Sequence, residues 1–252
     1  MNWPQITILV CTYDRLQVIE RVLCALWKHL NYPREKLTWV IADDSSPNDY
    51  VEKVSGLKIC ELMQPRFSVT PQNVGFGANV NQGLREVETE YCFFIEDDKY
   101  LEHDLDLRVG VALLETRKNI GMVRYRATAG EHMIFHQFES DISDYLPDYQ
   151  DGVGLPGKAT YFQIDGGSPA LYLYSHGPHL KRRSFHEFYG LYPEGFKLGA
   201  TEEKMAHQVK DLMMSPGAPA LAVLPEWCKM WWTDIGQTYQ HTELDREYAH
   251  AV

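Results

Sequence analysis

A chain of 252 residues, 44% of them hydrophobic and 23% charged, fits one globular domain with a full core, or one domain with an appended lobe. Its formal charge of −11 excludes a nucleic-acid binder held by a general basic surface, but leaves room for a local site for a phosphate-bearing small molecule. No apolar run reaches the ~20 residues that span a bilayer, and the chain enters an apolar strand at Ile6 without a signal core. A soluble cytoplasmic protein is therefore expected, with no transmembrane segment and no nucleic-acid partner. Cys11, Cys24, Cys60, Cys92 and Cys228 are odd in number and lack metal-ligand spacing, which reads as reduced, mostly buried thiols.

Ile6-Thr7-Ile8-Leu9-Val10 is a β-branched apolar run and reads as a central strand ending at Cys11-Thr12-Tyr13-Asp14-Arg15. Leu16, Ile19, Val22, Leu23, Leu26, Trp27 and Leu30 then recur at helical spacing, with Asp14 as the expected N-cap. Leu37 to Ala42 forms a second strand running into Asp43-Asp44, followed by a short helix over Tyr50 to Val54 and a third strand around Lys58 to Met63. Gly75-Phe76-Gly77 opens a helix marked by Val80, Leu84 and Val87; alone, this Gly-x-Gly is a weak phosphate-loop signal. Tyr91 to Ile95 carries no charge and reads as a strand buried on both faces, yet it ends in Glu96-Asp97-Asp98. A helix through Leu105, Val109, Ala112 and Leu113 and a strand over Gly121 to Tyr125 follow.

Strand and helix alternating at this spacing imply parallel βαβ units with right-handed crossovers. The carboxyl ends of the strands then share one edge, where ligands bind in open α/β sheets. That edge collects Thr12-Tyr13-Asp14, Asp43-Asp44 and Glu96-Asp97-Asp98 from distant parts of the chain. Three independent solvated turns explain this poorly, and a shared site explains it well. A carboxylate pair there suits a hard divalent cation against phosphate oxygens.

Beyond Thr128 the pattern loosens. Met133 to Phe138 and Thr160 to Ile164 read as antiparallel strands around an acidic loop, Asp141 to Gly157. The expected organisation is a βαβ half over residues 1–127 and a smaller, partly antiparallel half of the same domain over 128–252. Lys181-Arg182-Arg183 reads as a solvated helix face. Glu202-Glu203 follows Thr201 as an acidic first helical turn, which capping alone can explain.

Ile8-Leu9-Val10-Cys11-Thr12-Tyr13-Asp14-Arg15, Val40-Ile41-Ala42-Asp43-Asp44-Ser45-Ser46, Asn73-Val74-Gly75-Phe76-Gly77-Ala78-Asn79-Val80-Asn81-Gln82-Gly83-Leu84 and Phe93-Phe94-Ile95-Glu96-Asp97-Asp98 occur in this order. Together they resemble the GT-A-fold glycosyltransferases of family 2, over roughly the first half of the chain. The resemblance implies a Rossmann-like α/β fold, a mostly parallel sheet flanked by helices, with a smaller antiparallel acceptor-side portion. It also implies transfer of a sugar from a nucleotide diphosphate, UDP above all, to a hydroxyl on a glycan, protein or small molecule.

By the same resemblance Tyr13 stacks on the base and Asp44 accepts its imide N–H, while Thr12, Asp14, Arg15, Asn73, Gly75, Ala78 and Asn81 belong to the donor site. Glu96-Asp97-Asp98 matches the Asp-x-Asp motif with Glu in first place. Asp98 is then the ligand of Mn²⁺ or Mg²⁺, Glu96 turns to ribose or a metal-bound water, and Asp97 shapes the turn. Glu203 matches the general base of inverting members, and a one-residue shift makes it Glu202; the sequence leaves both open. His241 is the candidate C-terminal histidine on the metal. The Gln-x-x-Arg-Trp motif of processive members is absent, which implies single-sugar transfer. Two competing readings remain at this stage. One is a nucleotidyltransferase making nucleotide-sugars, disfavoured by Cys11-Thr12-Tyr13-Asp14 where such enzymes carry a Gly-rich loop. The other is a binding module without catalysis.

Overall fold

The computed structural model describes residues 2–101, 103–125, 135–150, 156–174, 176–224 and 232–234. The first strand, β1 (Ile6–Thr12), is buried along its whole length. Its side chains alternate between two cores. Ile6, Ile8 and Val10 join one, while Leu9 and Cys11 join the other, as the two-residue period of a strand requires. The first helix, α1 (Leu16–His29), covers the first of these cores with Ile19, Val22, Leu23, Ala25 and Leu26. Asp14 is not its cap. Arg15 holds that position without a side-chain cap bond, and Asp14 sits at φ 50, its N–H donated to Ser46 Oγ. The left-handed turn, which Asp tolerates, redirects the backbone before the helix begins.

After the short β2 (Leu30–Asn31) comes β3 (Leu37–Asp43), parallel to β1 with Ile6 opposite Leu37. Two helices follow, α2 (Tyr50–Ser55) and α3 (Lys58–Met63), then β4 (Arg66–Val69). The strand expected over Lys58 to Met63 is thus a helix. It buries Ile59, Cys60 and Met63 and exposes Leu62, a helical spacing that so short a run does not distinguish from a strand. Next come α4 (Phe76–Arg85), β5 (Tyr91–Glu96), β6 (Lys99–Leu101), β7 (Leu105–Asp106), α5 (Leu107–Thr116) and β8 (Ile120–Arg124). The remainder comprises β9 (Phe135–Asp141), β10 (Lys158–Ile164), α6 (Ala170–Leu173), β11 (His179–Arg182), α7 (Ser184–Tyr189), α8 (Leu198–Met213), β12 (Ala220–Val223) and β13 (Trp232–Asp234).

The main sheet runs β4-β3-β1-β5-β11-β8-β12-β10-β9. From β4 to β5 it is parallel, while β9 and β10 form the antiparallel flank. The second half of the chain also enters the middle: β11 lies between β5 and β8, antiparallel to both. This overturns the reading of Lys181-Arg182-Arg183 as a solvated helix face. All four residues of β11 are buried, and the following helix starts only at Ser184.

A second correction concerns Glu202 and Glu203. α8 begins at Leu198 with Lys197 at the N-cap, so both acids lie beyond the first turn, which carries none. Capping does not account for them.

The start of α4 packs directly on backbone from the segment before α8. A Cβ on Gly77 would lie 2.2 Å from the Pro193 carbonyl oxygen, and backbone cannot swing aside as a side chain can. We expect Gly77→Ala to destabilise the fold by about 1–3 kcal/mol, the cost of overpacking a tight contact, read as a lowered midpoint in urea unfolding.

Candidate active site

β1, β3 and β5 end at one level. Thr12 is opposite Asp43, Cys11 is opposite Glu96, and the N–H groups of Asp44 and Asp97 donate to the carbonyls of Thr12 and Cys11. The polar residues that follow each strand are therefore brought together, as the topology demands.

Asp97 is buried and accepts from Thr12 Oγ1 at 2.7 Å, from the Tyr13 N–H at 3.4 Å and from Arg15 at 3.1 Å. Arg15 reaches Asp98 Oδ2 at the same distance, and Lys99 Nζ lies 2.9 Å from Asp98 Oδ1 and 3.8 Å from Glu96. Asp97 thus does more than shape a turn, since it anchors the end of β1 to the end of β5.

Asp44 accepts from Thr70 Oγ1 (3.0 Å), the Val74 N–H (2.9 Å) and the Gly75 N–H (2.8 Å). It holds the glycine turn, with Gly75 at φ 86, against the strand end. A carboxylate has about four lone-pair directions, so one on Oδ2 is left for a ligand. Tyr13 is 39% exposed, with its ring on the surface of the same edge.

The other donor-site candidates divide. Asn73 is exposed and Ala78 half-buried on α4. Asn81 is buried, and its amide is committed to the chain itself. Its Nδ2 donates to the Tyr192 carbonyl (2.9 Å) and Glu194 Oε1 (2.8 Å), while its Oδ1 accepts from the Tyr192 N–H (2.9 Å). Asn81 ties α4 to the approach to α8.

Glu202 and Glu203 point differently. Glu202 shares its face of α8 with the buried Met205, Ala206 and Val209. Its Oε1 accepts the His176 backbone N–H at 2.9 Å, and its charge is felt at Glu96. Glu203 is exposed and lines an open groove with Ala200, Lys204, His207 and Asp211 along the outer stripe of the helix. His241 lies outside the described residues.

The electrostatics follow from the crowding. Burial pushes Glu96 up to about 8, with Asp98, Asp97 and Glu202 adding to the rise and Lys99 opposing it. Burial likewise pushes Asp97 up to about 6 against the pull of Arg15. For Asp98, burial acts upwards too, but Lys99 and Arg15 prevail and hold it below the usual range. Glu96, Asp97 and Asp98 thus face two cations, Arg15 and Lys99, with Glu202 adding its charge nearby. Among the described residues no preformed cluster of three metal-ligating side chains exists. The donor set is nonetheless all oxygen with surplus negative charge, which is what a hard divalent cation takes; the residues fit Mn²⁺ or Mg²⁺.

These shifts set a pH profile for the chelator-treated protein. Glu96 and Asp97 have raised values, so their ionisation opposes folding, and stability falls as pH rises through about 6 and about 8. Burial holds His176 down at about 3, and His179 and His186 well below their ordinary value. The unfolded chain therefore takes up those protons first as pH drops below about 6.5. We expect the thermal midpoint in EDTA to fall on both sides of a maximum near pH 6–7; a midpoint still rising from pH 7 to 9 would contradict the alkaline limb.

Two residues of this region escaped the sequence reading. Asn79 donates to the carbonyls of Thr12 (3.4 Å) and Ala42 (3.1 Å), joining two strand ends. His176 packs on Phe76 with ring centroids 4.5 Å apart and holds Glu202 through its backbone. Asn79 lay within a motif already singled out; His176, set between Ser175 and Gly177, belongs to no motif and gave no signal.

The family profile described as Glycosyl transferase family 2 matches residues 7–166, well over half of the chain. The chain belongs to glycosyl transferase family 2. Its GT-A fold is shared with solved structures of that kind. S. aureus TarS 1-349 aligns at TM-score 0.59 and 18% identity, over 87% of this chain and 58% of that one. The same protein in complex with UDP aligns at TM-score 0.60. The mannosyltransferase PcManGT from Pyrobaculum calidifontis, in complex with GDP-Man and Mn²⁺, aligns at TM-score 0.54 and 17% identity, over 87% of this chain and 56% of that one. The chain therefore spans under three-fifths of the length of these neighbours. No curated protein matches it. Among the described residues no helix is long and apolar enough to cross a membrane.

Proposed function

We propose that this family 2 chain is a metal-dependent, inverting, non-processive glycosyltransferase that moves a sugar from a UDP-sugar to a hydroxyl of a glycan, protein or small molecule. The observation that carries the reading is the meeting of Glu202 with the carboxylate edge. A helix more than a hundred residues downstream of β5 presents one carboxylate inward, fixed by the His176 N–H, within electrostatic reach of Glu96. Of the two candidate bases, that placement favours Glu202 over Glu203.

In this reading Glu202 takes the proton of the acceptor hydroxyl as the oxygen attacks the anomeric carbon, which turns a weak nucleophile into a competent one. Asp98, with Glu96 beside it, would hold Mn²⁺ or Mg²⁺, which when bound supplies charge neutralisation to the departing diphosphate. Arg15, already on Asp97 and Asp98, keeps the turn in place. Attack opposite the leaving group inverts the anomeric centre, and β11, paired beside β5 in the same sheet, keeps the site on a rigid support.

The donor preference is supported by Asp44, whose remaining acceptor direction suits an imide N–H, and by the exposed ring of Tyr13. The neighbours solved with UDP and with UDP-GlcNAc agree with that choice; the one solved with GDP-Man and Mn²⁺ keeps a guanine donor in the test. Tyr13→Ala should weaken UDP binding by about 1–3 kcal/mol, the worth of one base–aromatic stack, measured as a titrated Kd. A screen of UDP-, dTDP- and GDP-sugars with and without Mn²⁺, with product configuration read by NMR, tests the whole proposal. Turnover indifferent to EDTA, or retention of configuration, would overturn it.

A further inference from the structure

β11 runs antiparallel to β5 with Lys181 opposite Cys92. Cys92 precedes Glu96 by four residues, so Lys181 sits about 13 Å from the carboxylate edge, at strand rise. A cavity of about 200 Å³ opens there between the C-terminal end of α4 and α7, with Lys181, Cys92 and His186 in its lining and Leu84 and Val87 as an apolar wall. It lies towards the other end of the sheet from the proposed donor site.

One polar group in that lining lacks a counter-charge and another lacks any partner. Lys181 is 1% exposed. Its ammonium faces the rings of Phe94 and Tyr192, both 5.3 Å away, and the Tyr192 hydroxyl at 3.5 Å. The titratable groups nearest it are the Cys92 and Cys11 thiols, both pushed up by burial and so uncharged at neutral pH, and among the described residues no carboxylate lies within ion-pair distance of its Nζ. A buried ammonium without a counter-charge is strongly unfavourable. Burial brings Lys181 down to about 8, so it still carries its proton at neutral pH. The second group is His186. Its Nδ1–H donates to the Gly190 carbonyl at 2.8 Å, which leaves Nε2 as an acceptor, and Nε2 is buried with no partner.

The rim adds charge of the same sign. Arg85 and Arg183 are exposed lining residues, opposed by the exposed Glu187. Arg182 does not contribute, being committed to Glu90, the Tyr91 hydroxyl and the Leu114 carbonyl.

We propose that this cavity binds a small hydroxyl-bearing phosphate monoester, its oxygens on Lys181 and its hydroxyl donated to His186 Nε2. The pairing of a cation with a neighbouring acceptor asks for an oxyanion that also carries a donor. The two rim guanidiniums favour a doubly charged phosphate over a carboxylate. A cavity of this size suits a molecule smaller than a nucleotide-sugar.

Isothermal titration of the full chain with glycerol 1-phosphate, and with glycerol as the neutral control, tests the site. Binding of the phosphate alone is expected. Lys181→Met should weaken it by at least about tenfold, the loss of one charge-assisted hydrogen bond. Arg183→Ser, an exposed change that spares the fold, should weaken it by about two- to fivefold. Asp98→Asn should leave it unchanged. Absence of binding in the wild type, or equal affinity in Arg183→Ser and Lys181→Met, would overturn the proposal. Loss in Asp98→Asn with retention in Lys181→Met would place the phosphate at the carboxylate edge, which removes this site while leaving the glycosyltransferase reading standing.

Discussion

Glu202→Gln is expected to lower kcat by about 10²- to 10⁴-fold, the usual contribution of a positioned general base, with donor affinity nearly unchanged. Glutamine keeps the shape of the side chain and can still accept the His176 N–H, so the contact at 2.9 Å survives; what is lost is the ability to take a proton. Glu203→Gln, one residue on and facing the exposed groove, should stay within about twofold of the wild type, the range of a surface change. The pair decides between the two candidates because they differ by about a hundred degrees of helix and by nothing else in chemistry. Full activity in Glu202→Gln with loss in Glu203→Gln would move the base to the outer stripe. Turnover persisting in both would mean that neither is the base. The Glu202 variant has a second consequence. Removing that charge relieves part of the pressure on Glu96, so the alkaline limb of the stability profile should shift to higher stability.

The parallel half of the fold was legible because its signals are local and repeated. β1, β3 and β5 announce themselves by β-branched or aromatic runs, and each ends in polar residues where the topology places the site. What failed to show were features decided by distant partners. Lys58 to Met63 is a helix because Ile59, Cys60 and Met63 find cover together. His179–Arg182 is a central strand because β5 and β8 leave a gap that only an antiparallel strand from later in the chain fills. Three basic side chains in four positions argue against a central strand by any local rule, yet Arg182 is satisfied by Glu90 and two carbonyls that no window of sequence reveals.

The candidate site divides in the same way. Asp44, Asp97 and Asp98 were found from composition at strand ends, but what they bind within the chain was not. Asp44 holds the Val74–Gly75 turn, and Asp97 gathers Thr12 and Arg15. The proposed preference for Glu202 over Glu203 rests on the contact of its carboxylate with the His176 N–H, a partner 26 residues upstream that no local window of sequence reveals.

Asp98→Asn is expected to weaken Mn²⁺ binding by more than about 100-fold, beyond the effect of groups that only support a ligand, and to abolish metal-stimulated transfer. The argument rests on charge. Asp98 is the one carboxylate of its cluster held below the usual range, because Lys99 and Arg15 outweigh its burial, so it is ionised throughout the neutral range and ready to meet a cation. Glu96, pushed up to about 8, is largely protonated there until a cation arrives. Binding should therefore release a proton, and affinity should rise with pH up to that value. Stability gives a readout independent of turnover. A ligand that binds the folded state at about 100 times its Kd adds about 2.7 kcal/mol, so saturating Mn²⁺ should raise the wild-type thermal midpoint and leave that of Asp98→Asn in place. Without metal the variant should be slightly less stable than the wild type, since a depressed carboxylate contributes stability in its charged form and Asn cannot pair with Arg15 and Lys99. An equal Mn²⁺-induced shift in both proteins would show that the ion sits elsewhere, and would withdraw Asp98 from the metal while leaving the prediction for Glu202 untouched.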